Sequence, residues 1–251
     1  MKMSDDSHVS STPTGTSRFA TTHWSVVLAA GSPESSHYQE ALETLCQAYW
    51  FPIYAYLRRQ GFGAHDAEDQ TQGFFTHMIE KHDLCRADPN RGRFRSFLLS
   101  MLKHFAADQW DWSQAQKRGG GKKVFSFDFA DAEARYKLEP SRQLSPDRLF
   151  EKSWALTVLD RTMARLKAET IGSNRQKLFE QLKAHLAGQT HTIPYRDLAA
   201  KLDMTEGSVK VAVHRLRKRY RELLWEQIAQ TVSSPEEVES EIRALFAALA
   251  S

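Results

Sequence analysis

The sequence has almost no cysteine and no long apolar segment. Its two cysteines, Cys46 and Cys85, cannot form a disulfide framework and lack the spacing of metal ligands, so we expect buried free thiols. No apolar run approaches the length that spans a bilayer, which argues against a membrane protein. Residues 1–22 are polar and rich in Ser and Thr, without the basic start and apolar centre of a secretory signal. We therefore expect a disordered leader and a cytoplasmic protein.

Alternating, strand-like runs are also nearly absent, and KVFSFDFAD at 123–131 is the one candidate. Apolar residues recur instead at spacings of three and four, which is typical of amphipathic helices. We predict an all-α fold with two helical domains, because the length is sufficient for two modest cores. The first domain covers 23–112, a flexible Gly-containing linker covers 113–144, the second domain covers 145–225, and a helical extension covers 226–251.

Turn formers and caps divide these domains into helices. GFGAHD and RADPNRGR interrupt the first domain with Gly, Pro, Asn and Asp. In the second domain, Ser145 is placed to cap a helix and Pro146 suits its first position. The last helix of the first domain has one apolar face, comprising Phe94, Phe97, Leu98, Met101, Leu102 and Phe105.

The segment 194–220, PYRDLAAKLDMTEGSVKVAVHRLRKRY, has the pattern of a helix-turn-helix. It predicts a short helix, a tight turn through Asp203 and Met204, and a longer helix that Thr205 caps. On a helical wheel the longer helix has an apolar stripe with a cationic flank beside it. The stripe comprises Val209, Ala212, Val213, Leu216, Tyr220 and Leu223.

The cationic flank favours DNA binding over a merely solvated surface, because its acids, Glu206 and Glu222, lie only at the ends. The formal net charge of the chain is only +3, but a local concentration of cations matters more to a polyanionic partner. The second helix of such a motif enters the major groove, with base readers near its start and phosphate contacts further along. The candidate base readers are Glu206, Ser208, Lys210, Val211 and His214. The candidate phosphate contacts are Arg215, Arg217, Lys218 and Arg221.

Three segments together resemble the sigma-70 family of bacterial transcription initiation factors, of the extracytoplasmic-function (ECF) type. The stretch 195–223, with its Glu-Gly-Ser-Val-Lys start and His-Arg-Leu-Arg-Lys-Arg continuation, is similar to region 4 of that family. The stretch 48–75, AYWFPIYAYLRRQGFGAHDAEDQTQGFF, is similar to region 2, and GRFRSFLLSMLKHFAADQWDW at 92–112 is similar to the helix that follows. The resemblance covers roughly residues 40–225, in family order.

The resemblance implies a sigma factor that binds core RNA polymerase and reads promoter DNA at the minus-10 and minus-35 elements. By position, the residues that would dock on the clamp helices of the largest polymerase subunit are Asp66, Glu68, Asp69 and Gln72. Those that would face minus-10 DNA are Arg93, Arg95, Lys103, His104, Gln109, Trp110 and Trp112. Residues 205–221 would read the minus-35 element. Further implied partners are the polymerase flap region and an anti-sigma factor or other regulator, for which the sequence has no readable signature.

The residues leave other functions open. A stand-alone helix-turn-helix regulator would bind operator DNA without polymerase and use the first domain for dimerisation or sensing. The pairs His65-Asp66 and His82-Asp83 superficially suggest a metal-dependent phosphohydrolase, but no further ligands cluster with them. Because no catalytic constellation is present in the sequence, we expect that the chain is not an enzyme and uses no cofactor or metal.

The last segment, SSPEEVESEIRALFAAL, predicts a helix that Ser234 caps. Its apolar stripe comprises Val238, Ile242, Leu245, Phe246 and Leu249. We expect this helix to pack on its own domain. The alternative is an acidic regulatory tail that covers the basic helix or docks a partner.

Overall fold

The described chain is helical. The structure, a computed structural model, describes residues 24–113, 127–138, 143–171, 175–186, 193–229 and 235–250. These residues form ten α-helices and three short 3-10 turns and contain no strand, which confirms the all-α prediction. The helices are α1 Trp24–Ala30, α2 Tyr38–Arg59, α3 Ala64–Glu80, α4 Phe94–Ser113, α5 Phe129–Leu138, α6 Pro146–Ala168, α7 Arg175–Leu182, α8 Tyr195–Leu202, α9 Glu206–Ala229 and α10 Pro235–Leu249.

The predicted turns and caps are present where the described residues include them. Gly61 and Gly92 have φ of 103° and 114°, a region that favours glycine, and they lie between α2 and α3 and just before α4. The Ser145 hydroxyl accepts the Arg148 amide at 3.3 Å, and Pro146 occupies the first turn of α6. The predicted leader 1–22 and the cap Ser234 lie outside the described residues.

Helix α2 is the centre of the main hydrophobic core. Its residues Ile53, Tyr54 and Leu57 are completely buried, and α1, α3 and α4 contribute apolar side chains to the same cluster. The predicted apolar face of α4 is confirmed: Phe94 and Leu102 are buried and the other members are buried or packed against the core. The helices of the first predicted domain therefore share one apolar interior.

Part of the predicted flexible linker is a packed helix. Phe127 stacks on Trp50 with ring centroids 5.4 Å apart, and it leads directly into α5. Glu133 of α5 accepts from Arg58 Nε at 2.9 Å and from the Tyr54 hydroxyl at 2.6 Å. Aromatic burial and this ion pair hold α5 against α2, so the expectation of a linker without fixed structure does not describe residues 127–138. Segment 114–126 lies outside the described residues.

The main core also crosses the predicted domain boundary. Phe150 and Trp154 of α6 are buried in the same cluster as α2, and so are Leu224 and Ile228 at the end of α9. Two smaller clusters, built from α6, α7, α8 and α9, hold the helix-turn-helix. The described helices therefore do not separate into two cores at 113–144, because α6 presents large apolar side chains to α2.

Helix α10 packs on the body of the protein, as its apolar stripe predicts. Val238, Leu245 and Ala248 are buried in the main cluster beside α6 and α9. The prediction of the stripe is wrong at Phe246, which is 55% exposed. Glu241, which is not part of the predicted stripe, is only 1% exposed. This buried carboxylate is paired with Arg93, just before α4, and with Arg95 of α4.

The two cysteines have different environments. Cys46 is buried, as expected, and burial raises the pKa of its thiol well above the ordinary value. Cys85 is exposed, contrary to the prediction, because it lies on a 3-10 turn whose buried residue is Leu84. Its thiol donates to the Gly31 carbonyl at 2.7 Å. Among the described residues, no helix has both the length and the apolar character that crossing a bilayer requires.

Candidate nucleic-acid interface

The helix-turn-helix is formed by α8, a tight turn and α9. Asp203 adopts the left-handed conformation with φ of 53° and ψ of 48°, and the Met204 amide donates back to the Ala199 carbonyl at 3.0 Å. The Thr205 hydroxyl then accepts the Ser208 amide at 3.1 Å, which caps the start of α9. The predicted turn and cap are therefore both confirmed.

The apolar stripe of α9 fixes which face is open. Val209 and Val213 are buried against Leu198 of α8, and Leu223 is buried against α6 and α7. Ala212, Leu216 and Tyr220 are partly buried in the same clusters. Because the stripe faces the body, the opposite face of the N-terminal half of α9 is exposed.

All five candidate base readers lie on this exposed face. Glu206, Ser208, Lys210 and His214 are exposed, and Val211 is 49% exposed although it is apolar. Lys210 Nζ lies 2.7 Å from the Glu206 carboxylate, and the hydrogen bond between them raises the pKa of Lys210. The start of α9 thus presents hydrogen-bonding groups and a methyl-bearing side chain, the chemistry that base edges in the major groove recognise.

The candidate phosphate contacts differ in how available they are. Arg215 is exposed and has no ion pair within the part of the chain that the structure describes. Lys218 is exposed. Its Nζ lies 3.9 Å from the Glu222 carboxylate, which is a long distance for an ion pair, so this pairing is weak. Arg221 is exposed and its Nε donates to the Arg217 carbonyl at 3.3 Å. These three cations remain compatible with phosphate binding.

Arg217 has a different role in the structure. Its Nε and Nη2 donate to the His185 carbonyl at 3.1 and 2.9 Å. That carbonyl belongs to the 3-10 turn Lys183–His185, which follows α7, and the His185 ring stacks on Tyr195 of α8 with centroids 5.2 Å apart. Arg217 therefore holds α9 against the 3-10 turn that follows α7. This role differs from its predicted role as a phosphate contact.

Two arginines near this surface are not among the predicted site residues. Arg196, in the first turn of α8, has an 89% exposed side chain, and the first helix of such a motif crosses the DNA backbone. The position of Arg196 at the start of a predicted helix was the sequence feature that could have indicated a DNA-backbone contact. Arg219 donates to Glu169, the residue just after α6, at 2.7 and 2.9 Å and to Glu222 at 3.2 Å, so it joins α9 to the body. No short-range pattern indicates that pairing.

Two cations predicted to face minus-10 DNA are engaged inside the protein. Arg95 is only 4% exposed, lies over the Trp154 ring at 4.1 Å, and pairs with Glu151 of α6. Burial lowers the pKa of this guanidinium. Arg93 Nε lies 2.7 Å from Glu241 of α10. In this arrangement neither guanidinium is free to hold a DNA strand, contrary to the prediction.

The remaining minus-10 candidates lie further along α4. Lys103 is exposed and pairs with Asp147 at 2.5 Å, and this hydrogen bond raises its pKa. His104 is exposed, with Nδ1 2.7 Å from the Ser100 carbonyl. The side chains of Gln109, Trp110 and Trp112 lie outside the described residues.

The candidate polymerase-docking residues occupy the start of α3. Asp66 and Asp69 are exposed and Glu68 is half-buried, so they form an acidic surface at a helix N-terminus, where negative charge is favourable. Gln72 is only 7% exposed, on the same side as buried Phe75, so little of its side chain is available to a docking partner.

The described residues contain no group of three or more His, Cys, Asp and Glu side chains that could hold a metal ion. His82 lies at a left-handed position before a 3-10 turn, with φ of 51°. His77 is the histidine nearest the Asp83 carboxylate, at 3.9 Å. The His-Asp pairs noted in the sequence therefore do not converge on one centre.

The chain matches no protein-family model, no curated protein and no solved structure. A functional assignment consequently depends on the geometry of these residues and on the sequence resemblance.

Proposed function

We propose that this protein is a sigma factor of the sigma-70, ECF type, which binds core RNA polymerase and directs initiation at specific promoters. In this proposal α9 reads minus-35 DNA, α4 contacts the minus-10 strand, and the acidic start of α3 docks on the polymerase clamp helices. The flap region of polymerase would contact the helix-turn-helix domain. RNA synthesis belongs to the polymerase, so the protein itself has no catalytic activity and needs no cofactor.

The observation that carries the proposal is the open face of α9. A left-handed turn and a threonine cap precede the helix, a buried stripe fixes its orientation, and the exposed face carries Lys210, His214, Arg215 and Lys218. This is the arrangement that a helix requires to enter a major groove. The resemblance of segments 48–75 and 92–112 to region 2 distinguishes a sigma factor from other helix-turn-helix proteins.

The proposal includes a rearrangement into two domains. A sigma factor holds its minus-10 and minus-35 readers at a spacing that polymerase sets, and two tethered weak contacts then act as one strong contact. We therefore propose that α6 separates from α2 when polymerase binds, with part of 113–144 serving as the linker. The acidic face of α3 would initiate this step on the clamp helices.

The test is in vitro transcription with purified bacterial core polymerase, with and without the protein, on a genomic promoter library. We expect defined RNA 5′ ends that appear only with the protein and that share spaced upstream motifs. A matched variant is Asp66→Asn with Asp69→Asn, which changes two exposed carboxylates but leaves α9 intact. It should lose initiation and keep its fold. If every RNA start also appeared without the protein, the proposal would be refuted.

One observation favours a second candidate, a stand-alone regulator that binds operator DNA. The guanidinium groups of Arg93, just before α4, and Arg95 of α4 are paired within the protein, whereas the α9 face is open without any rearrangement. A regulator needs only the open face. This candidate predicts tight duplex binding without polymerase, usually at two symmetric half-sites, and no protein-dependent starts in the transcription assay.

A further inference from the structure

An ionic cluster just before and at the start of α4 ties three helices together. Arg93 Nε lies 2.7 Å from Glu241 Oε2, and Arg93 Nη2 donates to the Ser240 hydroxyl at 3.1 Å. Arg95 Nε donates to Glu151 at 2.7 Å, and Arg95 Nη1 pairs with Glu241 Oε1. Two guanidinium groups therefore share one carboxylate of α10, which is only 1% exposed.

A carboxylate held between two guanidinium groups occupies the position that a phosphate would take. The planar guanidinium fork binds carboxylates and phosphates with the same geometry. Within the described cluster the charges of Arg93 and Arg95 are balanced by Glu151 and Glu241. If Glu241 leaves, the cluster has a net positive charge and an unfilled anion position at the surface of α4.

The exchange requires α10 to leave the main core. Its buried residues on the main core are Val238, Leu245 and Ala248, together with Glu241 itself. Arg93 is about one-third exposed, so a strand can approach the pair from the solvent side. Replacing Glu241 by a phosphate would keep the arginines paired, which avoids the large cost of leaving a buried charge without a partner.

We propose that α10 is an intramolecular competitor of single-stranded DNA for the start of α4. Glu241 fills the anion position of Arg93 and Arg95, and α10 must leave before a strand can bind there. The choice of DNA as the ligand rests on the proposed function. The competition itself rests on the contacts of Glu241, and it makes α10 a restraint on strand binding rather than only a packing element.

The first test compares two full-length variants by fluorescence anisotropy with a labelled single-stranded oligonucleotide. Glu241→Gln removes the competing charge and keeps the side-chain size. Glu239→Gln makes the same charge change at an exposed position of the same helix. We expect Glu241→Gln to bind about tenfold more tightly than the unchanged protein, within the roughly 5- to 150-fold range usual for coupled sites. Adding Arg93→Ala should remove the gain.

Equal affinities of Glu241→Gln and Glu239→Gln would overturn the proposal. Glu241→Gln leaves the buried Arg95 guanidinium with one charged partner fewer. A second measurement therefore uses the unchanged protein. Hydrogen exchange of the α10 amides is followed with and without saturating single-stranded DNA. We expect the protection of α10 to fall when the strand is bound. Unchanged or increased protection of α10 in the bound state would also overturn the proposal.

These outcomes are separable from those of the transcription test. Protein-dependent promoter starts together with constant α10 protection would preserve the initiation function and refute the competition. Loss of α10 protection on strand binding, without any protein-dependent start, would support the competition and refute the initiation function.

Discussion

Replacing Arg217 by alanine tests whether a cation of α9 is structural. Its two donors share the His185 carbonyl at 3.1 and 2.9 Å and hold α9 against the 3-10 turn after α7. A hydrogen bond from a charged donor contributes about 1.5–3 kcal/mol. Because Arg217 is exposed and both bonds use one acceptor, we expect a loss of about 1–2 kcal/mol in the free energy of unfolding.

Two assays separate this role from phosphate binding. In thermal denaturation, a chain of this size loses about 2–4 °C per kcal/mol, so the midpoint should fall by roughly 2–8 °C. In duplex binding across a salt series, each phosphate contact contributes about 0.9 to the slope of log affinity against log salt. Arg217→Ala should therefore leave the slope unchanged. The control Lys218→Ala, at an exposed neighbour, should lower the slope by about 0.9 and keep the midpoint.

The opposite result is equally clear. If Arg217→Ala lowered the salt slope by about one and left the denaturation midpoint unchanged, the guanidinium would be a phosphate contact. The hydrogen bonds to His185 would then be a feature of the free protein that DNA replaces.

Three further predictions concern the cap Thr205, the candidate base readers and the ion pair of Glu133. Thr205→Ala removes the cap of α9 and should cost about 1 kcal/mol in chemical denaturation, whereas Thr205→Ser should be nearly neutral. Lys210→Ala and His214→Ala should change the preferred minus-35 sequence in a randomised-duplex selection; an equal loss on all sequences would exclude them as base readers. The Arg58 guanidinium, which donates to Glu133, holds the pKa of that carboxyl at about 2. This depressed pKa contributes stability above about pH 4.5 that is lost as the pH falls toward 2, so Glu133→Gln should flatten that part of a pH-stability curve.

Features set by near neighbours were predictable from the sequence. The Thr205 cap, the left-handed Asp203 turn and the apolar stripe of α9 each depend on residues within a few positions, and the structure contains all three. The same holds for the apolar face of α4 and for the cap at Ser145. Helical periodicity and side-chain capping act locally, so a single sequence is sufficient to identify them.

Features that depend on which helices meet were not predictable in this way. Arg93 and Arg95 are cations next to an apolar face, and their sequence context is the same whether they meet DNA or Glu241. The pairing joins residues nearly 150 positions apart, so periodicity carries no information about it. The repeated aromatic residues Phe127 and Phe129 in the predicted linker did indicate burial. Their shared partner, Trp50, could not be inferred from the sequence.

In the proposed function, the packing of α6 on α2 determines whether α4 and α9 can act together. If the separation exposes the buried α6 side chains Phe150, Trp154 and Val158, each contributes a cost of about 1.5–3 kcal/mol. The opening therefore costs roughly 5–9 kcal/mol, and a cost of about 5.5 kcal/mol already corresponds to a population ratio near 10⁴. An α4 face that binds DNA only in the opened form would lose affinity in the free protein by that factor. The open face of α9 would lose none, so a partner that stabilises the opened form is required for both helices to contact DNA together.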